Sequence, residues 1–400
     1  MRVLLLNLYY PPDTSATARM AQTVVNALAD KHDVTVLCGR PSYDPAERRP
    51  WRLYQSDTFG SARIIRVGST DFPRLQMKRR LLNYLSYVFL AVPRALFHPC
   101  DVILAMTDPP FEGIVGAFVA LLKRKPYIYN IRDLYPDMAL GGSIVSPGLP
   151  ARLWEKLHRW ALRRAARVVV LGDDMRNRIL AKGVDPARVV IVRDGADLPV
   201  QESSPPLDPE VIQAIRGGSR FVLLHAGNLG FYGAWDTLLA AARELAQDGI
   251  SMVFVGDGAQ RERLQSAAAG LPNVRFLPFF PSSKITSVLA APDAHVITVK
   301  RGLEGVVVPS KMYSILAAGK PVVAVAPAEC DVVSIGARRG FCVAANPDDP
   351  GQLVQAVRRI SRNPDLLRSM GASAAAAAPE YERNKELAKL VAIISAIASS

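Results

Sequence analysis

The 400-residue chain has few cysteines, no metal-binding signature and no long uninterrupted hydrophobic run. Its four cysteines, Cys38, Cys100, Cys330 and Cys342, form no close pair, which excludes a zinc knuckle or a redox CxxC and suits a reducing cytosol. HExxH, Asp-x-Asp and His/Cys clusters are all missing, so neither a metal nor another cofactor is expected. The most membrane-like stretch, LLNYLSYVFLAVPRALF at 81–97, contains Pro93 and Arg94. It falls short of the roughly 20 apolar residues of a spanning helix. The opening MRVLLLNLYYPP is a short apolar run broken by Asn7, which reads as a buried first strand rather than a secretion signal.

Charge is present but unevenly placed. The net charge is +13; residues 1–195 carry 29 Lys/Arg against 17 Asp/Glu, and the remainder carry 20 against 19. An anionic partner is therefore expected for the first half. Basic-aromatic interleaving is lacking, which argues against nucleic acid. The basic cluster Arg74, Lys78, Arg79 and Arg80 instead precedes the amphipathic run at 81–97, the pattern of a protein lying on an anionic leaflet. A core helix with a solvated basic end is the competing reading. Together these features imply a cytoplasmic protein held peripherally on the inner face of the cell membrane.

Short apolar runs alternate with helical patterns along the whole chain. VLLLNLY, DVTVLC, ARIIRV, DVILAM, YIYNI, RVVVL and VVIV occupy the first half; FVLLHAG, SMVFVG, VRFLPF, AHVITV, PVVAVA and FCVAA occupy the second. That alternation predicts an α/β protein of two doubly wound parallel-sheet domains. The Pro- and Ser-rich LPVQESSPPLDPE at 198–210 reads as the linker between domains at 1–197 and 211–378. Ligands of such sheets bind beyond the carboxyl ends of the strands, so two facing domains would place the site in the cleft between them.

Two stretches of the second half carry the chemistry. In VVPSKMYSILAAGKPVVA, Pro309 suits a first helical turn, Ser310 a cap and Gly319 a helix end, and Lys311 would reinforce an anion site at the helix start. In FVLLHAGNLGFYGAWDTLL, a strand leads into a turn built on Gly227, Asn228, Gly230 and Gly233, where a ligand could approach the backbone closely. His225, at the strand's end, reads as structural.

With VFVGDG at 253–258, these stretches resemble the donor-binding half of the retaining nucleotide-sugar glycosyltransferases of family 4, and within it the bacterial surface-polysaccharide enzymes such as fucosaminyl and other amino-sugar transferases. LLLNLYYPPDTSATARM at 4–20, IYNIRDLYPD at 128–137 and ARVVVLGDDMRNRILAKGVDPARVVIVRDGAD at 166–197 extend the likeness over nearly the whole chain. The resemblance implies the GT-B fold, with two Rossmann-like domains facing across a cleft and a terminal helix at 379–400 packing back toward the first domain.

It also implies roles. Lys311 would neutralise the leaving diphosphate, Glu304 would meet the donor sugar, and Asp133 would serve the reacting hydroxyls. Gly227, Asn228, Leu229, Gly230, Asp257, Gly258, Pro278, Phe279, Val308, Pro309, Ser310 and Ser314 would line the donor site. Tyr9, Tyr10, Ser15, Thr17, Arg19, Arg132 and Asp137 would face the cleft on the acceptor side, although Asp133 and Asp137 equally suit helix caps.

Departures from the family pattern are specific. Asn228 and Gly233 stand where many members carry an Arg and a Lys, leaving Lys311, with Lys300 or Arg301, as the available cations. Ser314 stands where the ribose-binding glutamate belongs, which leaves a thymidine diphosphate donor open beside UDP. The expected activity is retaining, metal-independent transfer of a hexose or amino sugar to a lipid-linked or polysaccharide acceptor. A nucleotide-sugar 2-epimerase, a transferase for a soluble natural product and a degenerate nucleotide-binding protein remain alternatives.

Overall fold

The computed structural model describes residues 1–42, 50–60, 62–72, 77–142, 144–198 and 206–397. Arg74, the side chain of Lys78 and most of the expected linker, residues 199–205, lie outside the described residues. The chain divides into two compact units, Met1–Val192 with Asn384–Ser400, and Arg193–Arg383.

The first unit is built on strands β1 (Arg2–Leu6), β2 (Asp33–Cys38), β3 (Tyr54–Phe59), β4 (Ala62–Val67), β5 (Val102–Ala105), β6 (Tyr127–Asn130), β7 (Arg167–Val170) and β8 (Val189–Ile191). They form one sheet in the order β3-β4-β2-β1-β5-β6-β7-β8. All neighbours are parallel except β3, which runs antiparallel to β4. The seven parallel strands coincide with the apolar runs of the first half. Strand β3, YQSDTF, is an addition: it lies at the sheet edge and is mostly exposed, so it lacks the continuous apolar run that marks a strand covered on both faces.

The second unit holds β9 (Phe221–Ala226), β10 (Ile250–Val255), β11 (Val274–Leu277), β12 (Ala294–Thr298), β13 (Val322–Val325) and β14 (Cys342–Ala345). Their order is β11-β10-β9-β12-β13-β14, all parallel. Leu224 of β9 sits between Val253 of β10 and His295 of β12. One face is packed by Leu223, Phe254, Val296 and the helix Trp235–Leu245; the other by Leu224, Val253 and the helix Pro209–Arg216. That last helix starts inside the expected linker, because Asp208 accepts hydrogen bonds from the N–H groups of Glu210 and Val211.

The helix Arg383–Ile397 contributes Leu387, Leu390, Val391 and Ile394 to the core of the first unit, against Val3, Val25 and Val34. Four buried apolar side chains at helical spacing explain why this terminal segment belongs to that core.

In both sheets the strand order reverses about a central strand, at β1/β5 and at β9/β12. The crevice beyond the carboxyl ends at such a reversal is where an open α/β sheet receives a ligand. The β9/β12 reversal opens directly onto the glycine turn.

Candidate functional site

Strand β9 ends at His225 and Ala226, and the chain then turns through Gly227 at φ +137°. The N–H of Gly227 donates to Val255 O at 2.8 Å and that of Leu229 to Asp257 O at 2.8 Å, tying this turn to the one after β10. The two turns touch so closely that a Cβ on Gly256 would lie 2.0 Å from Gly227 O, and one on Gly258 2.6 Å from Leu229 O. These glycines exist for backbone-to-backbone contact. Arg261 braces the pair by donating to Gly256 O and to Leu277 O.

The helix Lys311–Ala317 packs beside β12, and Lys311 Nζ lies 3.1 Å from His225 Nε2. A Cβ on Gly227 would meet Lys311 Nζ at 3.2 Å, so the amine sits against the glycine turn. Burial pushes the Lys311 pKa down to about 7. His225 is fully buried, with Trp235 edge-on at a ring distance of 4.9 Å. Burial, and then the neighbouring Lys311, hold its pKa well below the ordinary value, so the neutral imidazole accepts from the lysine.

Beside this pair lies a cavity of about 180 Å³ whose walls include Gly227, Phe279, Ile285, Lys311 and Ser314. Its remaining walls are largely apolar, with buried His295 anchored through Nε2 to Leu289 O at 2.9 Å. Burial lowers the His295 pKa to about 4, so this ring is neutral as well. Among the described residues of this mostly apolar wall, Lys311 is therefore the one side chain that can take up a positive charge near neutral pH, placed where the glycine turn exposes its backbone.

The cavity brings together Gly227, Phe279, Lys311 and Ser314. Asn228, Asp257 and Gly258 lie on the adjoining turns, with Asn228 and Asp257 exposed. Pro278 is exposed next to Phe279, and Gly230 is held by Trp235 Nε1, which donates to its carbonyl at 2.7 Å. Leu229 buries its side chain completely in the core, and its backbone N–H and C=O are paired with Asp257 and Gln260, so it shapes the turn rather than offering a surface.

Val308, Pro309 and Ser310 form the half-buried approach to the lysine helix. Ser310 does not cap it: the residue is already in the helical region, and its side chain makes no capping bond. The N–H groups of Met312 and Tyr313 donate to Pro309 O and Ser310 O, so the turn consumes donors that an open anion site would present. The positive charge at this place therefore comes from Lys311 itself.

Glu304 folds its carboxylate onto its own loop, accepting from the Gly302 N–H at 2.7 Å. Arg301 is drawn away to Asp348 at 2.7 Å and Asn346 at 3.0 Å, while the Lys300 N–H donates to Tyr232 O.

In the first unit, Arg132 and Asp133 are half-buried just beyond β6. Asp137 is bound in an ion pair, 2.7 Å from Lys182 Nζ, which also reaches Glu155 at 2.8 Å. This pairing holds the Asp137 carboxylate beside Lys182 with its side chain 21% exposed. A correction concerns Tyr10, which is fully buried in the core with its ring edge-on to Phe59; packing, not ligand contact, explains it. Tyr9 is likewise buried. Ser15 caps the helix Ala16–Ala29 by accepting from the Ala18 N–H at 3.0 Å, and lies 3.2 Å from Thr17 Oγ1. Arg19 donates to Thr14 O on the surface.

His225 is the residue undervalued by sequence reasoning. Its signal was a polar side chain ending an otherwise apolar strand directly before a glycine turn.

Residues 15–195 match the model of a glycosyl transferase 4-like domain, and residues 220–363 that of the glycosyl transferases group 1. The protein named "Putative colanic acid biosynthesis glycosyl transferase WcaI" of Escherichia coli (strain K12) is 23% identical over 376 residues, covering 90% of this chain and 92% of the relative. Among solved structures, sucrose-phosphate synthase from Thermosynechococcus elongatus superposes with a TM-score of 0.75 at 15% identity, over 100% of both chains. Anabaena HepE in complex with UDP superposes with a TM-score of 0.68 at 16% identity, over 99% of this chain and 100% of the other. With two matched domains on two parallel-sheet units, the chain belongs to the glycosyltransferases of the family 4/group 1 type, and its fold is GT-B.

Proposed function

We propose that this glycosyltransferase moves a hexose or amino sugar, with retention of anomeric configuration, from a UDP-sugar to a lipid-linked or polysaccharide acceptor in surface-glycan assembly. The observation that carries the donor half of this reading is the Lys311–His225 pair set against the Gly227 turn, beside the cavity at the β9/β12 reversal. A nucleotide sugar presents a planar base with apolar faces at one end and a dianionic diphosphate beyond the ribose. The cavity has the matching division, with Phe279 and Ile285 at one side and Lys311 at the other.

Sugar transfer builds negative charge on the departing diphosphate and positive charge at the anomeric carbon. Lys311 would stabilise the first, held by His225 so that little reorganisation accompanies bond breaking. Glu304 would orient sugar hydroxyls from its loop, and Asp133 would serve the acceptor side. Ser314 would contact the ribose through one hydroxyl. The name of the Escherichia coli relative, and UDP in the Anabaena structure, support the donor class and the glycan acceptor.

Metal is assigned no part in this reading, and among the described residues no group of three or more His, Cys, Asp or Glu converges. Incubation with labelled UDP-sugars and a lipid-linked glycan tests it. Sugar transfer with release of UDP, undiminished by EDTA, is the expected result. A donor sugar returned only as its 2-epimer, or nucleotide retained without turnover, would overturn the proposal.

A further inference from the structure

The first unit has an outer face that its own core does not use. Along the helix Met77–Phe97, Leu81, Leu85, Phe89, Pro93 and Phe97 recur every four residues, so they share one stripe. The stripe points to solvent: Phe89 is 79% and Phe97 86% exposed. The helix Glu112–Lys123 lies alongside and exposes Phe118, Leu121 and Leu122; beyond it the helix Leu149–Arg164 exposes Leu149, Leu153 and Leu157. Val88 and Val92 of the first helix, Ile114 of the second and Trp160 of the third wall a groove of about 660 Å³, in which the one charged wall residue among those described is Lys156. Scattered exposed leucines need no explanation, but three neighbouring helices with aligned apolar stripes do.

The charges on these helices identify the occupant. The three segments contain ten Lys or Arg and two acids. Glu112 is fully buried, and Glu155 is paired with Lys182 and Arg159. On the third helix, Arg152, Lys156, Arg163 and Arg164 project on the same side as Leu149 and Leu153, so cations and apolar groups are interleaved. A second copy of this chain would bring like charges together across such a surface. A bilayer with anionic headgroups satisfies both features, because Lys and Arg stems can lie along apolar surface while their heads reach phosphate. No helix among the described residues is long and apolar enough to cross the membrane, so the face would lie on it.

We infer that the face formed by helices Met77–Phe97, Glu112–Lys123 and Leu149–Arg164 docks the first unit on an anionic lipid surface, seating the three apolar stripes at the headgroup boundary. The wide three-helix face carries this contact, with exposed Arg79 at the start of its first helix.

Co-sedimentation of the full chain with phosphatidylcholine vesicles, with and without phosphatidylglycerol, tests the inference without any donor or acceptor. Its outcome is therefore independent of the proposed reaction. Binding is expected only with the anionic lipid, and salt should weaken it. Phe89→Asp, at an exposed position that leaves the fold intact, should weaken binding at least tenfold. Each of Arg79→Gln, Arg152→Gln, Lys156→Gln and Arg163→Gln should weaken it by about fivefold, with an unchanged melting curve as the control for folding. Equal binding to neutral and anionic vesicles, no binding to either, or full retention of binding in the Phe89→Asp variant would overturn it. Concentration-dependent dimerisation abolished by Phe89→Asp, with no vesicle binding, would assign the face to a second copy instead.

Discussion

Donor binding should draw a proton onto Lys311. In the free protein its pKa is lowered to about 7 by burial, and the adjacent rings of His225 and His295 are held neutral, so neither supplies a competing charge change near pH 8. A diphosphate against the amine favours the ammonium and restores its pKa toward the ordinary value of about 10.5. At pH 8 the free enzyme then holds Lys311 about 90% neutral, and binding UDP should take up about 0.9 proton. Between pH 7 and 9 the affinity should fall about 50-fold, since UDP is already fully ionised with a last phosphate pKa near 6. Titration calorimetry in two buffers of different ionisation enthalpy reads the uptake directly. Lys311→Met keeps the volume and the apolar contacts but should abolish both the uptake and the pH dependence. An uptake near zero at pH 8, or one that persists in Lys311→Met, would refute the placement of the diphosphate.

The same depressed pKa has a consequence for folding. Between about pH 7 and 10.5 the unfolded chain binds the extra proton, so this residue's contribution to stability rises with pH; Lys311→Met should therefore melt higher than the wild type at pH 6, with the gap closing toward pH 10. Glu112 acts in the opposite sense: burial raises its pKa to about 8, so the folded state binds the extra proton from about pH 4.5 to 8 and stability falls across that window. Glu112→Gln should flatten that fall in a pH series of melting temperatures, whereas an unchanged slope would show that the carboxyl is ionised in the fold. Ser314 should discriminate weakly between UDP and its 2′-deoxy analogue, by less than about tenfold, because one hydroxyl cannot repeat a carboxylate's paired acceptance; competition binding would reveal a strong ribose preference if another acid had taken the role. Gly256→Ala, whose Cβ would meet Gly227 O at 2.0 Å with φ at +144°, should cost several kcal/mol of stability by denaturant titration.

The parallel strands were legible because the central ones are buried on both faces and therefore appear as near-continuous apolar runs, such as VLLL in β1 or VVAV in β13. Strand β3 was not, since one row of partners and an exposed face leave YQSDTF polar. The glycine turn and the lysine helix were legible as punctuation: Gly227 and Gly319 both adopt positive φ. What sequence could not show was which polar residues meet across the fold. His225 and Lys311 are separated by 86 positions yet touch, and Lys182 claims Asp137 from 45 positions away. Tyr10 resembled a cleft residue because its loop follows the first strand, but an apolar core surrounded by β1, β2 and β4 took its ring. Ser310 failed as a cap because it already has helical geometry, which leaves its side chain no route to the N–H groups ahead.

The central claim is that the second unit holds the nucleotide of a sugar donor at the β9/β12 reversal. A crystal structure of the protein soaked with UDP tests it most directly. The base should lie against Phe279 and Ile285, the ribose beside Ser314, and the diphosphate on Lys311 at the Gly227 turn. UDP bound only within the first unit, or bound in the second unit away from Lys311, would contradict the claim.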